Sequence, residues 1–172
     1  TFILQRPNLA LDIKSHNSRR EIMSFLVEQL SVNDIDECTT IVASMAKEML
    51  PSETDRDSVR RIISDANVLT LVAKKNKRIV AMISGTCQAS LNITFLIVSD
   101  EESARHGVGS LLIDNFEEIG KKRSPASRYV TTSLVTDNTA AVALYSAKGY
   151  EVGGFLKEAL GAKDLIILRK KL

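Results

Sequence analysis

The chain has 172 residues, 44% hydrophobic and 26% charged, with a net charge of +2, a size that suits one domain able to bury its core without disulfides. A charge this close to zero gives no electrostatic case for nucleic acid or an anionic membrane, and two cysteines and two histidines without CxxC or HExxH spacing leave no disulfide framework and no metal site. No apolar run approaches the roughly 20 residues of a membrane span, and the start lacks a secretory pattern, so a cytoplasmic protein is the default expectation.

Residues 1–22 read differently from the rest. A short apolar stretch broken by Pro7 gives way to Lys14, Ser15, His16, Asn17, Ser18, Arg19 and Arg20, with no sustained strand or helix period. They form an N-terminal extension with three open readings: a flexible segment, an added first strand, or residues ahead of a start at Met23. The regular pattern of a single domain runs over 23–172.

Phe25 and Val27 alternate with polar residues and predict a strand ending near Ser31. Asn33 or Asp34 can cap a helix with Ile35, Cys38, Ile41, Val42, Met45 and Met49 on one face, ended by Pro51. Cys38 reads as a buried inert thiol, as does Cys87. Val59, Ile62 and Ile63 carry helical spacing through a shorter helix over 52–66. Glu53, Asp55 and Asp57 beside it either attract a cationic acceptor or line a solvated loop. Strands over 68–73 and 79–83 flank a charged, solvated turn over 74–78 centred on Asn76. Gln88, Ala89 and Ser90 turn the chain into a strand over Leu91–Val98. A helix opens near Gly107 with Val108, Leu111, Leu112, Phe116 and Ile119 on one face, and Lys121, Lys122 and Arg123 suit its end. A strand over 129–134, rich in Thr, Val and Tyr, follows. Asn138 caps a helix over 139–148 that Gly149 stops, and strands over 150–155 and 164–168 close the chain. Early hairpins and later strand-helix-strand order predict a mixed α/β sheet without internal repeat.

The strongest chemical signal is Ile93-Thr-Phe-Leu-Ile-Val98, a polar bend, then Ala104-Arg-His-Gly-Val-Gly-Ser110. A buried strand runs into a glycine-containing loop that opens an amphipathic helix. First-turn N–H groups have no backbone partners and sit at the positive end of the helix dipole. Gly107 and Gly109 let the backbone approach a diphosphate with no Cβ in the way, while Arg105 and His106 add positive or hydrogen-bonding character. Helix-capping glycines are common, so this fragment alone leaves phosphate binding and plain capping both open. A dinucleotide fold uses a similar device, but its fingerprint needs a third glycine where Leu112 stands and an acidic residue about twenty positions on. Neither is present.

The second element is Asn138-Thr-Ala-Ala141-Val-Ala-Leu144-Tyr145-Ser-Ala-Lys-Gly149-Tyr150. Together the two segments resemble the GNAT superfamily of acyl-CoA N-acyltransferases. Its first motif is Q/R-x-x-G-x-G/A, opening the CoA-binding helix, and its second is N-x-x-A-x-x-L-Y-x-x-x-G-F. Gly107 and Gly109 match the first, with Ala104 where Gln or Arg is usual and Arg105 one position late. Asn138, Ala141, Leu144, Tyr145 and Gly149 match the second, with Tyr150 in place of Phe.

The resemblance implies an α/β fold, a single domain with a mixed, mostly antiparallel central sheet splayed between strands four and five and flanked by helices. It implies acetyl-CoA as co-substrate, with no metal, and a primary amine as acceptor, attacked directly in a ternary complex. Backbone groups of Leu96, Ile97 and Val98 would pair with the pantetheine arm. Ala104, Arg105, His106, Gly107, Val108, Gly109 and Ser110 would cradle the diphosphate. Asn138 and Ala141 would meet the cofactor arm, and Lys148 a phosphate or solvent. Tyr145 would protonate the departing thiolate, or else pack in the core with its hydroxyl satisfied. A homodimer is a further expectation of the resemblance. Many relatives carry a Glu base on one of the splayed strands; here those strands offer Asn92, Thr94, Thr131, Thr132 and Ser133. An acyl-CoA-binding module without turnover, a sensor or partner domain, is the alternative.

Overall fold

The computed structural model describes residues 25–49, 56–160 and 162–172. The extension over 1–22, Pro51, Glu53 and Asp55 lie outside the described residues, as do the side chains of Met45 and Met49.

Strands β1 (Leu26–Gln29), β2 (Val68–Lys75), β3 (Arg78–Cys87), β4 (Leu91–Val98), β5 (Tyr129–Val135), β6 (Glu151–Leu160) and β7 (Lys163–Lys171) form one sheet in the order β1-β2-β3-β4-β5-β7-β6. Neighbours β4 and β5 are parallel, and the other pairs are antiparallel. Helices α1 (Ile35–Met49), α2 (Arg56–Ser64), α3 (Glu101–Arg105), α4 (Val108–Arg123) and α5 (Thr139–Ala147) flank it. This is the mixed, mostly antiparallel α/β architecture expected.

The sheet is covered differently on its two faces. On one, Val108, Leu112, Ile113 and Phe116 of α4 and Tyr145 of α5 pack on Leu71, Ile83, Leu91, Ile93 and Val130. On the other, Cys38 and Val42 of α1 and Val59 and Ile63 of α2 pack on Val72, Ile79 and Met82. Each fully buried aliphatic side chain contributes about 1.5–3 kcal/mol.

Several local expectations need correction. A 3-10 turn at Val32–Asp34 precedes α1, and Ser31 stands before it. Asp34 acts from the third position instead: its carboxylate accepts from the Ser31 backbone N–H at 3.3 Å and the Ser31 hydroxyl at 2.6 Å. Lys74 is not a solvated turn residue, because its ammonium is held by Glu28 at 2.5 Å and Asp34 at 2.8 Å, with only 17% of its side chain exposed. The turn is two residues, Asn76 and Lys77, both at positive φ, the two-residue geometry whose twist matches a hairpin. The bend before Gly107 contains the short helix α3, capped by Asp100, which accepts from the Ser103 N–H at 2.7 Å. The strands β6 and β7 extend well beyond the predicted spans.

Candidate functional site

β4 and β5 are paired at three positions only, Leu91↔Val130, Asn92↔Thr131 and Ile93↔Thr132. Beyond them each strand keeps its outer neighbour: β4 pairs with β3 as far as Val98, and β5 with β7 as far as Val135. The sheet therefore forks at its centre. The fork coincides with a bulge, since Ser84 faces Phe95 while Gly85 faces Ile93, leaving Thr94 as the extra residue. A bulge increases local twist and terminates pairing. Gly85 makes this close approach feasible: a Cβ there would lie 2.2 Å from the Asn92 carbonyl oxygen and 2.8 Å from the Phe116 ring. Phe95, Leu96, Ile97 and Val98 are only half-buried, although β4 stands fourth in a sheet of seven strands. Their free backbone edge lines the gap.

The first glycine motif stands beside that edge. Gly107 caps α4 in a left-handed conformation, φ 77°, and a Cβ on it would meet nothing within 4 Å. Leu111 N–H donates to the Gly107 carbonyl, so the N–H groups of Val108, Gly109 and Ser110 precede the helical ladder. A Cβ on the buried Gly109 would lie 3.1 Å from Leu144 of α5, 3.9 Å from Leu96 and 4.0 Å from Val98. The start of α4, the middle of α5 and the end of β4 thus converge.

The charged side chains of this region are already engaged. Arg105 pairs with Glu101 at 2.7 Å with 76% of its side chain exposed, and His106 Nδ1 lies 2.7 Å from the Glu102 carbonyl. Ala104 is exposed on α3. Lys148 is bonded to Asp114. What the loop turns outward is backbone amide, which suits an extended anion better than a charge-pairing pocket does. Asn138 caps α5, its Oδ1 accepting from the Ala141 N–H at 3.1 Å.

Tyr145 is 1% exposed on the α4 side. Its hydroxyl faces the Thr132 side chain, and Thr132 donates at 3.1 Å to the Ile93 carbonyl. Thr132 and Ile93 are the last pair before the fork, so the Tyr145 hydroxyl sits at its apex. Burial pushes this phenol up to about 12, the Thr132 hydroxyl opposes the rise, and the Glu117 carboxylate adds to it. The ring meets Tyr150 edge-on, centroids 4.9 Å apart at 72°. Tyr150 donates to Glu117 at 2.9 Å, and Lys170 donates to the other Glu117 oxygen at 2.5 Å.

Of the residues singled out in sequence, the structure places Tyr145 at the fork, Gly109 against Leu144 and the end of β4, and Asn138 at the α5 cap. Sequence reasoning missed the meeting of Tyr145 with Thr132, the role of Gly85 and the Glu117–Tyr150–Lys170 cluster, whose members lie 33 and 53 residues apart. The one signal was Tyr150 standing where Phe is usual. Among the described residues no group of three His, Cys, Asp or Glu could hold a metal ion, and no helix is long and apolar enough to cross a membrane.

Residues 33–150 match the sequence profile of the acetyltransferase (GNAT) family. No curated protein matches the chain in sequence. Among solved structures, the chain is similar to Ard1 from Thermoplasma volcanium, with 20% identity over 86% of this chain and 97% of that one, TM-score 0.72. It is similar also to the ribosomal-protein-S18-alanine N-acetyltransferase from Escherichia coli, with 16% identity over 86% and 94%, TM-score 0.70. NAA60 of Arabidopsis thaliana in complex with acetyl-CoA shares 12% identity over 87% and 99%, TM-score 0.72.

Proposed function

The chain belongs to the acetyltransferase (GNAT) family, and on that premise we propose that it moves an acetyl group from acetyl-CoA to a primary amine by direct attack in a ternary complex. The observation that carries this reading is the fork between β4 and β5, with the Tyr145 hydroxyl at its apex and the start of α4 beside its β4 edge. The residues present fit the donor. Free backbone groups of Leu96, Ile97 and Val98 suit an extended amide-bearing arm, and the open N–H groups of Val108, Gly109 and Ser110 suit its phosphates. Asn138 and Ala141 begin the helix on the opposite wing.

In the reaction the amine nitrogen bonds to the thioester carbonyl carbon and the carbon–sulfur bond breaks. Tyr145 directs its proton at the sulfur as negative charge develops there, and a backbone N–H near Val98 polarises the carbonyl. The amine's own proton must leave as well. No carboxylate stands on β4 or β5; past the last pair the exposed side chains are Thr94 and Ser133. Deprotonating a lysine-like amine near neutral pH costs about 4–5 kcal/mol, but a peptide α-amine only about 1 kcal/mol. The acceptor is accordingly a low-pKa amine, its proton passed to water held by these hydroxyls. A cytoplasmic location and a homodimer belong to the same proposal.

The test combines calorimetry with acetyl-CoA and thiol release across peptide α-amines, lysine-like amines and polyamines. Thioester consumption with α-amines supports the reading. Tight acetyl-CoA binding without consumption by any amine would instead make the chain a binding module.

A further inference from the structure

We propose that Tyr150, Glu117 and Lys170 form a positioning cluster for Tyr145, holding its ring in place so that its hydroxyl stays aimed into the fork. The inference rests on the proton-donor reading of Tyr145 and adds Glu117 and Lys170, which lie outside the two motifs, and the Tyr150 hydroxyl, where the chain departs from the second.

The geometry is specific. Tyr150 lies in the junction between α5 and β6, Glu117 on α4 and Lys170 on β7, so two elements and a connection meet beside one ring. The Tyr150 hydroxyl, the atom that distinguishes it from the usual Phe, donates to a Glu117 carboxylate that Lys170 holds from the other side. Side-chain exposure is 12% for Glu117 and 25% for Lys170, and Tyr150 is 4% exposed. The Lys170 ammonium also stands 5.8 Å over the Tyr150 ring. A carboxylate this buried is costly to hold without partners, and here both oxygens have one. The edge-on contact transmits that fixed position to Tyr145, whose ring has no charged partner of its own. The Glu117 carboxylate also opposes loss of the Tyr145 proton, which keeps the phenol protonated in the resting protein.

The experiment compares Tyr150→Phe, which keeps the ring and the edge-on contact, with Lys170→Met and Lys170→Arg, each in wild-type and Tyr145→Phe backgrounds. Tyr150→Phe is expected to slow single-turnover consumption of the acetyl-CoA thioester about tenfold, with acetyl-CoA affinity unchanged. It should add nothing in the Tyr145→Phe background, because a residue acting through another loses its effect with it. Lys170→Met should slow the step and Lys170→Arg restore it. A wild-type rate for Tyr150→Phe, or equal losses in both backgrounds, overturns the inference while a slowed Tyr145→Phe leaves the proton-donor reading standing. A wild-type rate for Tyr145→Phe overturns both. A second readout needs no acceptor. The chain has three tyrosines and no tryptophan, so in Tyr129→Phe the tyrosinate absorbance reports the buried pair alone. Glu117→Gln should lower the pH at which that pair ionises, and an unchanged transition counts against the coupling.

Discussion

The hydroxyl of Tyr145 faces the side chain of Thr132, and Thr132 is the last β5 residue paired to β4. A helix side chain therefore touches the sheet at the point where its two halves part. The phenol, pushed up to about 12 by burial, stays protonated at any working pH. A thiol ionises near 8.5, about three units lower, so full proton transfer to a thiolate is uphill and the benefit comes from a hydrogen bond that strengthens as charge develops. Tyr145→Phe should keep the fold and the acetyl-CoA affinity. Its single-turnover rate should fall toward the lower end of the about 10²–10⁴-fold range of acid catalysis. A folded variant at the wild-type rate would return Tyr145 to a packing role.

Two glycines of the site, Gly85 and Gly107, fail differently. Gly85→Ala adds a Cβ that would lie 2.2 Å from a carbonyl oxygen, and backbone cannot step aside as a side chain can. Its loss of stability should reach or exceed the upper part of the about 1–3 kcal/mol seen for overpacking, visible as a lower urea midpoint. Gly107→Ala points into open space and pays only for its left-handed backbone, about 1–2 kcal/mol. Gly107→Glu should fold yet lose acetyl-CoA binding in calorimetry, because its charge faces the helix N-terminus where phosphates would sit.

Stability should follow the Lys74 cluster at both ends of the pH scale. For Asp34, burial alone would raise the carboxyl, but bonds from Lys74 and Ser31 outweigh it and hold the group below its ordinary value. For Lys74, burial alone would lower the ammonium, but Asp34 and Glu28 outweigh it and raise it. A lowered acid stabilises above its unfolded value, about 3.9, and the gain vanishes as pH falls through the folded value. A raised base stabilises below about 10.4 and the gain vanishes as pH climbs beyond. The difference in unfolding free energy between wild type and Lys74→Met should be flat between those limits and shrink outside them. A difference independent of pH across the whole range would exclude this account.

Direct attack predicts that no thiol takes part. Burial, with the Asp34 and Glu37 carboxylates adding to it, pushes Cys38 up to about 12, and burial raises Cys87 too. A maleimide should label Cys38 in urea but not in the native protein near neutral pH. Cys38→Ala should retain turnover.

Much of the fold was legible because it rests on local patterns. Asn138 to Gly149 carries its own cap and stop, and Asn76 its own turn. Position along the chain also sufficed for the glycine loop. What escaped was set by partners far away in sequence. Lys74 looked solvated because Glu28 and Asp34 approach it only after β1 pairs with β2. Lys148 gave no sign in sequence of Asp114, the distant carboxylate it pairs with. The fork itself depends on Gly85 of β3, opposite β4, and a lone glycine in a strand announces no partner.

A sheet normally has two edges, and each invites another chain to add itself. Counting the sides of the fork, this one has four: β1 and β6 outside, and the parted flanks of β4 and β5 within. The inner pair is joined at one end by the three shared residue pairs. What the parted flanks offer is a pair of strand edges, suited to a chain that exchanges hydrogen bonds as an extended peptide does. The break in pairing thus places inside the sheet the kind of unpaired backbone that elsewhere only its rim carries.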